Sequence, residues 1–407
     1  MKLLTPMQIG SLTLKNRMIM APMATHFATE NSEATETMKN YYAERARGGV
    51  AMITLESCFV HLSGRGGARR LGIYKDSLVP GLKSVTDAVH ENGALVCCEL
   101  HHGGPQCKSD LIGEMPLCAS SSNYQKGMET IPRMLTREEI PQMVDYFARG
   151  AERARDAGFD AIMLHFGHGY LANSFLSPLS NTREDEYGGS LENRARFPLE
   201  IVAGIRTALG RDFPLIVRLS AEDGIVAGMS LDESLQLAKM LEEAMVDCLQ
   251  ITAGIHLVMY RMVQPMAMPR GCLVPFVRRF KEAVSIPVAV VGRINNPALA
   301  EEILQNGDAD AIYLGRPLIA DPYYPQKVMD GRPQDIRPCI ACNQGCGAHM
   351  RTEEAITCFG NPRCGSGGGA PCDAGGESEK RRGHRRRPGR YGGRQGGCPA
   401  RTQGEPV

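Results

Sequence analysis

Eight short apolar runs, alternating with segments of helical period, constrain this chain more than any other feature. The runs are Met18–Met23, Val50–Cys58, Ala94–Leu100, Ala161–His165, Pro214–Ser220, Cys248–Gly254, Pro287–Gly292 and Ala311–Gly315. Runs this short and this apolar read as strands buried on both faces. Between them lie Thr37–Arg47, Val79–Asn92, Glu138–Ala157, Glu192–Leu209, Ser230–Glu243 and Ala298–Asn306, with apolar residues at helical spacing. Gly48, Gly93, Gly158, Gly210 and Gly307 follow the last periodic residues, as helix C-caps do. Eightfold strand–helix alternation over about 320 residues predicts an α/β fold of the TIM (β/α)8 barrel type. A Rossmann-type sheet also alternates, but it usually has fewer strands and a Gly-rich first turn, and the turn after Met23 is not Gly-rich.

With 407 residues, 43% of them apolar, the chain can bury a core of one large domain or of two to three smaller ones. A net charge of +1 gives no general attraction to nucleic acid or an anionic membrane. Met1–Gly10 lacks the basic-then-apolar pattern of a signal peptide, and no apolar run reaches the length of a membrane span. A soluble cytoplasmic protein is expected, an oligomer being possible. The 14 Cys are then expected to be reduced, with some serving as metal ligands. Cys97 and Cys98, inside an apolar run, read as core thiols, and the scattered Cys58, Cys107, Cys118, Cys248 and Cys272 read the same way.

In a TIM barrel the C-terminal strand ends carry the active site. Polar and Gly residues cluster there in this chain: Glu99–Gly104, His165–Tyr170, Arg218, Gly292–Arg293 and Gly315–Arg316. Gly292-Arg293 and Gly315-Arg316 end the seventh and eighth strands, where barrels commonly bind phosphate. Gly lets the backbone approach the phosphate, and Arg adds a bidentate charge.

Cys339, Cys342, Cys346 and Cys358 are spaced C-x2-C-x3-C-x11-C. Four thiolates at loop spacing suit zinc or an iron–sulfur cluster. Zinc sites usually pair two C-x2-C knuckles. A third Cys close behind the second lets three ligands wrap one compact group, which favours [4Fe–4S]. Cys364 reads as a spare thiol.

These residues, with Leu14-Lys15-Asn16-Arg17, Ala21-Pro22-Met23, His165-Phe166-Gly167-His168-Gly169-Tyr170-Leu171, Phe175-Leu176-Ser177-Pro178, Asn181, Arg183, Asp185–Ser190 and Glu192-Asn193-Arg194, resemble the Old Yellow Enzyme superfamily. The likeness runs from Leu4 to Gly365. It is nearest to the long branch that holds 2,4-dienoyl-CoA reductase, bile-acid-inducible NADH-dependent flavin oxidoreductases and trimethylamine dehydrogenase. That branch implies FMN, a [4Fe–4S] cluster and a C-terminal FAD/NAD(P)H domain feeding electrons through the cluster. By the resemblance Ala21, Pro22, Met23 and Ala24 line the isoalloxazine, and Arg218 stands at its N1/O2 edge. Gly292, Arg293, Gly315 and Arg316 hold its phosphate. His165 and His168 position the substrate's electron-withdrawing oxygen, and Tyr170 donates a proton. General chemistry agrees: hydride addition to an activated alkene puts charge on that oxygen, which His N–H groups stabilise, and the α-carbon then needs an acid. His256 is a further candidate acid or substrate contact, and the loop Gly104–Arg137 is expected to shape the substrate pocket.

Two departures matter. Glu99 stands where the family usually has Gln; an ionised Glu can only accept hydrogen bonds, so a lowered flavin potential or a raised Glu99 pKa is expected. Amine dehydrogenases of the branch cage their cation with aromatics including Trp and attach FMN to a Cys near strand one. This chain has no Trp and no Cys before Cys58, which favours alkene reduction.

The segment from Ser366 to Val407 is dominated by Gly, Arg and Pro, with no Leu, Ile, Phe or Met. It is expected to be disordered. One reading is a basic nucleic-acid arm. The other, preferred, is a shifted reading frame starting near Gly365. Back-translated and read one base later, Gly383–Gly393 becomes Val-Ile-Gly-Gly-Gly-Pro-Ala-Gly-Met-Glu, a dinucleotide fingerprint behind a strand. The FAD and NAD(P)H sites are then expected to be lost from this chain.

The expected organisation is an FMN-binding barrel over 1–335, a cluster segment over 336–365 and the tail over 366–407. The expected activity is that of an ene-reductase on a dienoyl or enoyl thioester, or on a steroid or bile-acid-like enone. A flavin/iron–sulfur carrier needing a partner reductase is the alternative, and an amine dehydrogenase the weaker one. No nucleic acid or membrane partner is expected.

Overall fold

A computed structural model describes residues 1–121 and 130–365. The expectations of a disordered tail and of a frame-shifted dinucleotide fingerprint fall on 366–407, outside the described residues.

All eight anticipated strands form, and they close. They are β1 (Met18–Met20), β2 (Met52–Thr54), β3 (Leu95–His101), β4 (Ala161–Phe166), β5 (Leu215–Ser220), β6 (Cys248–Thr252), β7 (Val288–Val290) and β8 (Ala311–Leu314). Each pairs in parallel with its sequence neighbour, and β8 returns to β1 through Ile312 opposite Met18, which completes the (β/α)8 barrel. Outside it run α1 (Glu36–Arg47), α2 (Val79–Glu91), α3 (Ile140–Asp156), α4 (Leu191–Leu209), α5 (Leu231–Glu243), α6 (Val274–Ala283) and α7 (Pro297–Gln305). Side chains fix several helix starts. Thr35 caps α1, Ser190 caps α4, Asn296 caps α7, and Ser230 with Glu233 forms a capping box on α5.

The strand period divides the core in two. One set of side chains, including Ile19, Met52, Cys97, Ala161, Met163, Ile216, Cys248, Ala289, Ala311 and Tyr313, fills the barrel interior. The other set packs beneath the helices. A hairpin of Met7–Ile9 and Leu12–Leu14, not anticipated from sequence, sends Met7, Ile9 and Leu14 into the interior cluster. Cys97, Cys98 and Cys248 are buried thiols, as expected.

The structure departs from the sequence expectations at three places. The first run leaves the ladder at Met20, so Ala21–Ala24 are free to line the mouth. The second run splits: Cys58–Phe59 form a separate short strand on the end of β3. Gly48 is not the left-handed cap (φ −68°); Gly49 takes that conformation at +91°. Gly48 is needed for another reason, since a Cβ there would lie 2.0 Å from the Pro322 carbonyl oxygen. Gly93, Gly158, Gly210 and Gly307 do adopt positive φ. Among the described residues no helix is long and apolar enough to cross a membrane.

Candidate active site

One open cavity lies at the C-terminal ends of the strands. Thirteen residues singled out in the sequence line it: Ala21, Pro22, Met23, Ala24, Glu99, His165, His168, Tyr170, Arg218, Gly292, Arg293, Gly315 and Arg316. None of the described residues of the loop 104–137 lines it, and residues 122–129 of that loop lie outside the described residues. Ser57 and Arg70 from the loops after β2, and Met262–Gln264 after β6, also line it.

At one end stand the two Gly-Arg pairs. Gly292 has φ +113°, and a Cβ there would press on Leu273 at 3.0 Å; one at Gly315 would press on the Met23 sulfur at 3.1 Å. The backbone is bare at both points. Arg293 donates to the carbonyls of Met266 and Met268, and Arg316 to the Gln264 carbonyl and the Asn343 side chain, at 2.6 and 2.7 Å. The Nε of Arg293 is buried without an acceptor.

In the middle, Arg218 on β5 donates to the Glu99 carboxylate on β3 at 3.0 Å. The two strands are not neighbours. Both side chains point inward and meet across the barrel mouth. Burial pushes the Glu99 carboxyl up, and Arg218 opposes the shift. The Arg218 Nε is buried and unpartnered. Orphaned guanidinium nitrogens beside glycine-lined backbone are what an anionic, hydrogen-bonding cofactor such as FMN requires, so this donor set fits it.

Tyr170 sits among histidines. Ring centroids lie 4.3 Å away for His101, 4.9 Å for His165, 6.4 Å for His168 and 5.0 Å for His256. Burial, then the Arg218 charge, holds His165 and His168 well below the ordinary histidine value, so both are neutral at pH 7. His165 Nδ1 accepts from the Gly167 N–H at 3.2 Å, which leaves its hydrogen on Nε2. Thr252 Oγ1 lies 2.9 Å from His168 Nε2 and fixes that ring. His168 itself has φ +66°, a conformation uncommon for a non-glycine residue. His256 donates from Nδ1 to the His168 carbonyl at 2.7 Å. Burial raises the Tyr170 hydroxyl, keeping it protonated.

Two members were given no role in the sequence: His101, which lies inside the Glu99–Gly104 cluster, and Arg70. His101 follows Glu99 by two, so strand alternation puts both on the inner face, a signal that was available. Arg70 lies in a loop with no period to mark it.

Cys339, Cys342, Cys346 and Cys358 line a second, smaller cavity. Cys339 and Cys346 border both. The thiols are free, and Cys339 Sγ accepts from the Ala341 N–H. Ala341 and Asn343 turn the segment with positive φ, and Gly345 packs where a Cβ would lie 2.5 Å from the Thr357 hydroxyl. Among the described residues no three His, Cys, Asp or Glu side chains stand at metal-holding spacing. The donor set, four unpaired thiols on one cavity, is nonetheless chemically suited to iron–sulfur. Cys364, off this cavity, is buried against the Ile356 carbonyl.

The barrel with this mouth defines a flavin-dependent oxidoreductase class. Residues 2–335 match the NADH:flavin oxidoreductase / NADH oxidase family, and the chain belongs to it. It is 40% identical over 363 residues to an NADH oxidase of Thermoanaerobacter brockii, covering 89% of this chain and 56% of that protein. It is 39% identical over 324 residues to an NADPH dehydrogenase of Geobacillus sp., covering 79% and 92%. The first-matched relatives are thus spanned over about half their length. Among solved structures, a 2-naphthoyl-CoA reductase matches with TM-score 0.87 and 32% identity, over 90% of this chain and 58% of that one. A histamine dehydrogenase from Rhizobium sp. 4-9 gives 0.83 and 30%, over 90% and 53%. The Old Yellow Enzyme homologue of Zymomonas mobilis gives 0.71 and 30%, over 81% and 93%. The resemblance read from the motifs therefore holds for both the superfamily and its long branch.

Proposed function

We propose that the chain is an ene-reductase, reducing an activated C=C bond with electrons that originate in NAD(P)H. The observation that carries this reading is the placement of one protonated Tyr170 against two neutral histidines on a cavity that Arg218 also lines. FMN, bound along the cavity, would supply the hydride that adds to the substrate's β-carbon. His165, with its hydrogen on Nε2, and His168 would donate to the carbonyl oxygen where charge develops. Tyr170 would protonate the α-carbon, with the rings of His101 and His256 packed edge-on against its own. Arg218 would face the flavin's N1/O2 edge, Ala21–Ala24 its ring, and Gly292, Arg293, Gly315 and Arg316 its phosphate. A [4Fe–4S] cluster on Cys339, Cys342, Cys346 and Cys358 would pass single electrons to the flavin. The barrel 1–335 and the cluster segment 336–365 would then form one electron path, and an enoyl thioester or a cyclic enone would be the substrate.

An amine dehydrogenase is the competing reading, given the histamine dehydrogenase likeness. The cavity disfavours it. Arg70, which lines the cavity without a partner among the described residues, would repel a cationic amine. Tyr170 and Tyr313 are its only aromatic rings besides histidine among the described residues, too few for a cation cage. A carrier that depends on a partner reductase remains the alternative for the electron supply. The test is anaerobic: reduce the purified protein with dithionite, then add an enoyl thioester, a steroid enone or an amine. Flavin bands returning with either alkene support the reading. Bands that return with neither would end it, and reduction of the oxidised protein by amine would establish the rival. Substituting NADH for dithionite tells whether the chain accepts its own electrons or needs the partner.

A further inference from the structure

Four guanidinium groups line the large cavity, and three of them are engaged. Arg218 pairs with Glu99, Arg316 donates to Gln264 and Asn343, and Arg293 donates to Met266 and Met268. Arg70 makes no hydrogen bond and no ion pair among the described residues, and its Nε is shut off from solvent.

Its surroundings are built rather than loose. The Ala68 N–H donates to the Glu353 carboxylate at 2.8 Å, and the Gly72 N–H to the Ser32 carbonyl at 3.1 Å, so the backbone is pinned on both sides of Arg70. Arg65 braces the same loop through the carbonyls of Glu30 and Ala68. Two carboxylates stand nearby, and neither forms an ion pair with Arg70 among the described residues. Glu56 accepts from the Thr25 N–H and hydroxyl through Oε2 alone, its Oε1 being buried without a partner, and burial pushes its carboxyl toward the neutral form against the pull of the Arg70 charge. Glu353 is held by Ala68 and Lys108. Arg70 lines the same cavity as Tyr170, and its charge also bears on Tyr170, His101 and His256.

A partly desolvated cation without a partner is unfavourable, and an entering anion removes that penalty. The guanidinium fork matches a carboxylate in two parallel hydrogen bonds. We propose that Arg70 docks a carboxylate carried by the substrate beside its activated double bond, so that the site selects an enone acid over the neutral ester. The proposal rests on the ene-reductase reading: His165 and His168 take the activating carbonyl, and Arg70 takes a separate anionic group.

The experiment is calorimetric titration of the purified cofactor-containing protein with 3-benzoylpropionate and with its methyl ester. Both are saturated product analogues that cannot be reduced at a C=C bond. The wild-type protein is expected to prefer the acid. In Arg70→Gln the acid-to-ester preference should fall by about tenfold, and Arg70→Lys should restore part of it. Raising salt from about 0.05 to about 0.5 M should weaken acid binding more than ester binding in the wild type, an arm that needs no variant. A preference for the ester in the wild type, or a preference unchanged in a folded Arg70→Gln, overturns the proposal. The unsaturated methyl ester, methyl 3-benzoylacrylate, separates the two ideas. If it reoxidises the dithionite-reduced protein while the acid analogue shows no Arg70-dependent preference, the docking proposal fails and the ene-reductase reading stands. If no enone reoxidises the protein, the ene-reductase reading fails and the docking proposal falls with it.

Discussion

At the scale of single residues, the Glu99–Arg218 pair sets the charge in the middle of the large cavity, where the flavin is proposed to lie. A carboxylate at this position offsets the guanidinium opposite it, so less positive charge remains to favour a reduced, anionic flavin. Glu99→Gln removes that negative charge and keeps a hydrogen-bonding amide. The flavin midpoint potential at pH 8 is expected to rise by about 30 mV or more, corresponding to ~1.4 kcal/mol for two electrons. Spectroelectrochemistry checks it, and an unchanged potential would mean the carboxyl is already protonated in the fold. The histidines make a second prediction. Burial depresses His26 to about 4 and His102 to about 3, and holds His101, His165, His168 and His256 low as well. In the unfolded chain these groups take up protons below about 6.5. The unfolded state therefore binds more protons, and stability falls as pH drops from about 6.5 toward the folded-state values. Urea midpoints should decline between pH 7.5 and 5, before most carboxylates titrate; a flat profile would contradict the buried, neutral histidines. The sequence already named Glu99 as a departure and His165, His168 and Tyr170 as a group. It could not disclose the pairing with Arg218, because the partners lie on strands separated by β4 and meet only when the barrel closes.

At the scale of elements, the apolar runs were legible because strands buried on both faces cannot hide among polar residues. Their ends were less so. The run from Val50 breaks at Leu55–Ser57 and resumes as Cys58–Phe59, a break that depends on Glu56 finding Thr25 and the Tyr42 hydroxyl inside the protein. The glycine after α1 illustrates the same limit. Sequence marks a helix end there, but only packing reveals that Gly48 makes room for the Pro322 carbonyl. Gly48→Ala should therefore cost more than Gly307→Ala. The first forces the helix off the neighbouring loop, at about 1–3 kcal/mol. The second has open space around it and φ +74°, so it bears only the left-handed backbone penalty, about 1 kcal/mol. Melting temperatures of the two variants, measured side by side, give the order; a more damaging Gly307→Ala would refute the packing argument.

At the scale of the whole described molecule, the cysteine segment is tied to the barrel by contacts that no motif announces. Asn295 donates to the Cys339 carbonyl at 2.6 Å, the Ile356 N–H donates to the Thr25 carbonyl at 2.9 Å, and Asn361 donates to the Ile319 carbonyl. Arg316 joins the two regions most directly. It borders both cavities, and one of its nitrogens bridges the Gln264 carbonyl and the Asn343 side chain, between Cys342 and Cys346. The spacing of the four cysteines was plain in the sequence, but their attachment to the Gly-Arg end of the barrel mouth was not, because it runs through loops without period. On the proposed reading, Arg316→Ala should therefore weaken both sites at once: flavin through the loss of the contact proposed for its phosphate, and iron through a loosened turn around Asn343. Arg293→Ala removes a guanidinium from the same end of the large cavity, but its partners are the Met266 and Met268 carbonyls and it does not border the cysteines. That variant should lose flavin and keep its iron. Flavin and iron per chain, measured on the two purified variants, decide the matter. Iron retained in full by Arg316→Ala would show that the cysteine turn holds without the barrel, whereas joint loss there, with loss of flavin alone in Arg293→Ala, would mark Arg316 as the link between them.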